Sequence, residues 1–222
     1  MLKKTRILLG LFLTAPCFAG LYVGASVGPE GAHFRQKVHV QIPGNFNALD
    51  ANHFSGIGVF GSIFGGYGWT HNQYYLAGEF NANLSSVEYK LTNDELLHQH
   101  LSKTTFKIGN AEGVSLLPGY LLTPVTLAYA RIGYANGHLK IVESDPTIHS
   151  SSTRRGGIRY GLGIRHGILP HWSVMMDYSQ INYRGVKSHV FEPHSGLTKD
   201  TRIIPNTAQV GFGLIYAFDK PV

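Results

Sequence analysis

The stretch Gly157-Ile158-Arg159-Tyr160-Gly161-Leu162-Gly163-Ile164-Arg165-His166-Gly167 decides the fold. Ile158, Tyr160, Leu162 and Ile164 share one parity, and Arg159, Gly161, Gly163 and Arg165 share the other. Successive side chains of a strand point to opposite faces, so this is a ribbon with one apolar and one polar face. After Ile168-Leu169-Pro170-His171 the pattern restarts: Trp172, Val174, Met176 and Tyr178 stand against Ser173, Asp177 and Ser179. Two such ribbons joined by a short proline-containing link read as an antiparallel hairpin.

The same period runs through the chain on either side. Tyr74, Leu76, Gly78, Phe80, Ala82 and Leu84 oppose Ala77, Glu79, Asn81 and Asn83. Near the end, Val210, Phe212, Leu214, Tyr216 and Phe218 oppose Gln209, Gly211, Gly213 and Ala217. Eight strand-like segments are expected, at 21–33, 56–69, 74–89, 104–117, 126–137, 157–167, 172–183 and 207–218. Each is close to the length of a tilted membrane strand. The links at 70–73, 118–124 and 168–171 are short. Those at 33–55, 90–103, 138–156 and 184–206 are long and polar. A soluble sandwich has no reason to sort its loops this way, whereas a membrane barrel has short turns on one side and long loops on the other. The expected fold is all-β: an eight-stranded antiparallel up-and-down transmembrane β-barrel. An even strand count returns both termini to the short-turn side.

One segment resists. Phe106, Ile108, Asn110, Glu112, Val114 and Leu116 share parity, which would put a carboxylate in lipid. A bulge at Gly109 or Gly113 is expected to change the parity.

Composition excludes other classes. Of 222 residues only 14% are charged, while 12% are aromatic and 27 are glycine. That is too little charge for a disordered or nucleic-acid-coating chain, and no nucleic-acid partner is expected. A mean hydropathy of −0.03 argues against a bundle of membrane helices. Lys3, Lys4 and Arg6 precede an apolar run at 7–13 and the exit Ala15-Pro16-Cys17-Phe18-Ala19. This reads as a signal peptide over 1–19, cut after Ala19, with the barrel domain over 20–222. Three of the 19 basic side chains leave with the leader, so a net charge of +6 becomes +3. Cys17 leaves too, so no disulfide, cysteine nucleophile or cysteine metal ligand is expected.

Gly20-Leu21-Tyr22-Val23-Gly24-Ala25-Ser26-Val27-Gly28 resembles the opening strand of small Gram-negative outer-membrane barrels, the outer membrane protein A-like and opacity-type group. So do Leu116-Leu117-Pro118-Gly119-Tyr120, Thr123-Pro124, and the run Leu127-Ala128-Tyr129-Ala130-Arg131-Ile132-Gly133-Tyr134. The resemblance covers nearly all of the chain after the leader. It implies that Gly213, Tyr216 and Phe218 form the C-terminal signal read by the barrel assembly machinery. Two departures matter: Asp219-Lys220-Pro221-Val222 follow Phe218, and no peptidoglycan-binding domain follows the barrel. The resemblance further implies an outer-membrane location, with membrane lipid and lipopolysaccharide as neighbours.

With these parities the lumen receives Glu79, Arg159, Arg165 and Asp177. Arg131 joins them if Ala130, Ile132 and Tyr134 face lipid, and Lys107 joins them if the fourth segment starts regularly. Eight strands leave just enough room for side chains, so an ion-paired plug is expected, each acid meeting at least one arginine. An anion-preferring narrow pore is the alternative. Trp69, Tyr120, Trp172 and Phe218 lie beside the short links, where an interfacial girdle sits.

No cofactor or metal is expected. The 12 histidines, among them His33, His39, His98, His100, His149, His189 and His194, show no spacing that specifies zinc. Lipid A deacylases of similar size use a histidine, a serine two positions on and a glutamate on the barrel wall. His149-Ser150-Ser151 has that step, but no glutamate follows before Glu192, so no catalysis is expected. Arg154, Arg155 and Lys140, with Lys187, Lys199 and Arg202, make a mildly basic rim that could meet lipopolysaccharide phosphates or a host or surface ligand. The expected role is structural or adhesin-like.

Overall fold

The computed structural model describes residues 18–42, 44, 46–95, 100–143, 151–192 and 197–218. The leader ahead of Phe18, His98, His149, Ser150, His194 and the tail 219–222 lie outside the described residues. So do the side chains of His100, Ser151, Lys187, His189, Glu192 and Lys199.

Ten strands follow in order: β1 Gly20–Ile42, β2 Phe46–His71, β3 Tyr74–Ser85, β4 Glu88–Glu95, β5 His100–Thr123, β6 Thr126–Glu143, β7 Ser151–Leu169, β8 Trp172–Tyr183, β9 Val186–Glu192 and β10 Leu197–Ala217. They make eight staves, because β4 continues β3 along β5 and β9 continues β8 along β10. Every pairing is antiparallel. β1 pairs with β10 from Tyr22↔Ala217 to Gln41↔Thr198, which closes the ring. The protein is an all-β, eight-stranded barrel.

The lower turns are tight. Asn72 adopts φ 54° between His71 and Tyr74, a left-handed conformation that asparagine tolerates in two-residue hairpin turns. The turn expected over 118–124 is shorter than read, since β5 runs on to Thr123 and only Pro124-Val125 remains.

At the other end the four stretches expected as loops are largely strand. β1 and β2 stay paired up to Ile42↔Phe46, and β6 and β7 up to Ile141↔Ser151. A polar ladder survives beyond the lipid belt because its inward face is apolar there. Ala32, Phe34, Phe54, Val87, Phe106, Ile108, Leu139 and Ile203 are buried together, with Tyr89 and Val186 against them.

The register between β5 and β6 shifts between Ile108 and Ala111, at Gly109-Asn110. The bulge turns Phe106 and Ile108 into the lumen and leaves Glu112 on the outer face with Val114 and Leu116. Lys107 is consequently exposed on the outer wall, not in the lumen. The aromatic stripe above the bulge, rather than the carboxylate, drives the change of face.

A second apolar group fills the lower lumen: Tyr22, Phe64, Tyr75, Ala77, Leu117, Leu121, Leu127, Tyr129, Met175 and Ile215. Glycine makes room for it. A Cβ on Gly163 would lie 2.3 Å from the Tyr129 ring, whereas one on outward Gly78 meets nothing within 4 Å. Gly163→Val should therefore destabilise the barrel by about 1–3 kcal/mol through overpacking, seen as a lower urea midpoint in detergent micelles. Gly78→Ala should leave the midpoint unchanged.

Candidate functional site

Between the two apolar groups lies a buried polar layer. Alternation on β3, β6, β7 and β8 points Glu79, Arg131, Arg159, Arg165 and Asp177 inward, and all five are buried. Arg131 lies between the acids: its Nη1 donates to Glu79 Oε1 at 2.6 Å and its Nε to Asp177 Oδ2 at 3.2 Å. Arg165 donates through Nη2 to Glu79 Oε2 at 2.9 Å. Its guanidinium carbon stands 4.6 Å from the Tyr22 ring centre and 5.0 Å from that of Tyr129. Among the described residues no carboxylate bonds Arg159. It donates to Ser179 Oγ from Nε at 3.2 Å and from Nη2 at 2.9 Å.

Sequence reasoning missed four members. Tyr22 donates to Glu79 Oε2 at 3.0 Å, Tyr129 donates to Asp177 Oδ2 at 2.9 Å, and Arg165 Nη1 donates to Tyr75 at 3.3 Å. Glu30 is buried and accepts from Gln209 Nε2 at 2.9 Å. The signal was present: Tyr22 and Glu30 share the parity of Ser26, opposite Leu21, Val23 and Val27, and Tyr129 shares the parity of Arg131. With Glu30 included, the buried lumen holds three acids and three arginines, and Arg131 and Arg165 are the two bonded to carboxylates among the described residues. A buried charge needs this balance, because desolvating an unpaired ion costs more than any single contact returns.

The layer leaves little space. A cavity of about 10 Å³ lies among Ser62, Asn81, Arg131, Arg159 and Asp177. That holds one water molecule, not a solute. Arg159 Nη1 and Asn81 Oδ1, both without a partner among the described residues, belong to residues of its wall.

Outside, Trp69, Tyr120, Trp172 and Phe218 are all exposed near the tight turns. Trp69 stacks on His71 at 5.6 Å, and Tyr216 meets Trp172 at 5.1 Å and Phe218 at 5.2 Å. Tyr120 donates to Gln73 Oε1. Gly213 packs against β1, where a Cβ would come within 2.6 Å of Ala25 O.

Above the lipid belt, Lys90 and Lys107 hold Glu88 at 2.9 and 2.8 Å, and Arg154 holds Glu112 at 3.4 Å. Arg155 turns inward and is half-buried. His33 and His53 stack at 5.3 Å, with Nε2 and Nδ1 3.1 Å apart. Among the described residues no group of three metal-binding side chains gathers. His138 Nε2 lies 2.5 Å from Ser152 Oγ, but among the described residues no carboxylate bonds that imidazole.

Arg131→Met should be strongly destabilising, by about 3–5 kcal/mol, because it leaves Glu79 and Asp177 short of countercharge. Urea unfolding followed by gel mobility measures this. Bonding to Lys107, then Lys90, holds the Glu88 carboxyl below its ordinary range. Its small stabilising effect is therefore present at neutral pH and lost as pH falls through that lowered value. Carboxyl NMR should show Glu88 titrating low, and Lys107→Gln should move it up.

The match to known proteins follows the same outline. The family model described as "Outer membrane protein beta-barrel domain" matches residues 8–218. Among solved structures, the outer membrane protein OprG from Pseudomonas aeruginosa is 13% identical, with a TM-score of 0.59 over 90% of this chain and 97% of that one. The outer membrane protease OmpT from Escherichia coli is 10% identical, with a TM-score of 0.50 over 90% and 97%. Ail of Yersinia pestis, solved in complex with the heparin analogue sucrose octasulfate, is 14% identical, with a TM-score of 0.39 over 87% and 99%. No curated protein matches the sequence. With the match spanning nearly the whole chain and the ring of eight staves in place, this chain belongs to the outer membrane protein β-barrel family and is a protein of the outer membrane.

Proposed function

We propose that the protein is a sealed, non-catalytic outer-membrane barrel that presents its long paired hairpins at the cell surface, in a structural or adhesin-like role. The leader over 1–19 exports it, and the assembly machinery reads Gly213, Tyr216 and Phe218. Trp69, Tyr120, Trp172 and Phe218 then anchor the short-turn end at the membrane interface, where amphipathic and aromatic rings settle.

The observation that carries this reading is the filling of the lumen at three successive levels: the lower aromatic group, the ion-paired layer and the upper aromatic group. A pore for small solutes needs a continuous wet path, and eight strands offer it only if side chains leave the axis free. Here Arg131, Arg165, Phe34, Phe54 and Phe106 fill that space. Purified protein in planar bilayers should give no steady open conductance across the physiological pH range. A stable single-channel step that disappears on boiling would establish the narrow-porin alternative instead. The Ser152 and His138 contact is read as a surface hydrogen bond; Ser152→Ala should leave the lipid A mass profile of expressing cells unchanged.

A further inference from the structure

The spacing of the 12 histidines along the chain specifies no metal, but strand pairing brings together two that are 20 residues apart. On β1 and β2, His33 is opposite Ser55 and Arg35 is opposite His53. The two histidines are therefore diagonal neighbours on the outer face, and both are exposed. His33 Nε2 lies 3.1 Å from His53 Nδ1, with the ring centres 5.3 Å apart and 22° between the ring planes. On the far edge of its ring, His33 Nδ1 lies 3.2 Å from Ser55 Oγ.

The backbone beneath the pair is held in place. Phe34 and Phe54 follow the two histidines in sequence, point inward and are buried, and their rings stack at 5.4 Å. Sliding β1 against β2 would break that contact. Side chains carried on paired strands with a packed underside are positioned before any ligand arrives.

Two facing imidazole nitrogens at this distance share one proton, since a neutral ring has one donor and one acceptor nitrogen. The same spacing suits a metal ion. At metal–nitrogen bonds of about 2.05 Å, nitrogens 3.1 Å apart subtend roughly 100° at an ion placed beside the line between them. A turn of each ring about its χ angles aims both lone pairs there. The shared proton moves through solvent to the other nitrogen of the ring that carries it, so both rings stay neutral. Ser55 Oγ accepts the N–H of His33 Nδ1 in that state, which keeps Nε2 free for the ion.

The donor set selects the metal. Imidazole suits copper, nickel and zinc, and a given nitrogen site binds the cupric ion most tightly of these. Among the described residues no carboxylate bonds either ring, so the oxygen ligands that calcium and magnesium require are not supplied. Arg35, opposite His53, opposes any dication held by charge alone and so favours one held by strong bonds to nitrogen. Water completes the coordination on the open side.

We propose that His33 and His53 form a two-imidazole site for the cupric ion on the outer wall of the barrel. The site goes beyond the surface-barrel reading and does not depend on a sealed lumen.

The experiment titrates copper(II) into the folded full chain in detergent micelles. Electron paramagnetic resonance reads binding, and spin-echo modulation counts the bound imidazoles. The variant His33→Gln, His53→Gln is compared with His39→Gln, His138→Gln, which removes as many imidazoles from elsewhere on the outer wall. With metal below one equivalent, the wild type should hold cupric ion on two imidazoles. The first variant should lose affinity by about tenfold or more and the control by less than about twofold, because two linked donors bind far better than one. Zinc and nickel should bind the wild type about tenfold more weakly or worse. No bound cupric ion, a one-imidazole signal, equal losses in both variants, no loss in the first, or equal affinity for zinc or nickel would overturn the proposal. The unboiled gel shift reports folding. If only the first variant loses it, His53→Gln is read alone, with about a tenfold loss expected and an unchanged affinity counting against the site.

Discussion

Inside a bilayer there is no water to satisfy a free amide, so the ladder must close on itself. The β1 and β10 pairing does this, and most other choices in the chain follow from it. Once the ring is closed, each stave has only two directions for a side chain. One is lipid and the other a lumen hardly wider than the residues that fill it. Alternation is then compulsory at belt height. Leu21, Val23, Val27, Ile63, Phe80, Leu116, Ile132, Leu162, Met176 and Phe212 all point to lipid, and what lies between them must pack inside.

The inner set contains charge, and its layout follows from the cost of burying it. A buried arginine without an acid is expensive, and so is an acid without an arginine. The chain buries three of each along the lumen and surrounds them with tyrosine and serine hydroxyls: Tyr22, Tyr75, Tyr129 and Ser179. The aromatic groups above and below keep bulk water from this layer and strengthen its bonds through low polarity. The same exclusion makes the loss of any one member costly. Glycine permits the arrangement, since Gly163 leaves the space that the Tyr129 ring takes.

Parity made much of this legible before any coordinates. Glu79, Arg159, Arg165 and Asp177 could be placed inward because they alternate with Leu76, Tyr160, Ile164 and Met176 on their own strands. Parity needs a fixed register, and it failed where register changes. At Gly109-Asn110 the period alone could not say which half of the segment turns over. The upper half did, because Phe106 and Ile108 had an aromatic group to join. Glu30 and the three tyrosines were missed for a different reason. A tyrosine looks apolar until its hydroxyl is seen to have a buried acid within reach, and Glu30 lies just past Gly28, where the opening-strand pattern ends. The length of the hairpins escaped the sequence because polar composition was read as loop, although a strand wetted on one face is equally polar.

Above the belt the closure requirement lapses, and the staves respond. Pairing along one side stops at Ser86-Val87 and along another at Arg184-Gly185, the two breaks between β3 and β4 and between β8 and β9. Beyond them β4 pairs only with β5, and β9 only with β10. The ring thereby divides into two leaves, β9-β10-β1-β2 and β4-β5-β6-β7, whose free edges can be satisfied by water as no edge could be in lipid. Each leaf still has an inward face to bury, which is why Phe34, Phe54 and Ile203 from one meet Phe106, Leu139 and Tyr89 from the other. Their outer faces are released from lipid and from each other, so the two leaves can carry different charge. One pairs Lys90 and Lys107 with Glu88, while on the other Lys37 stands opposite Arg202.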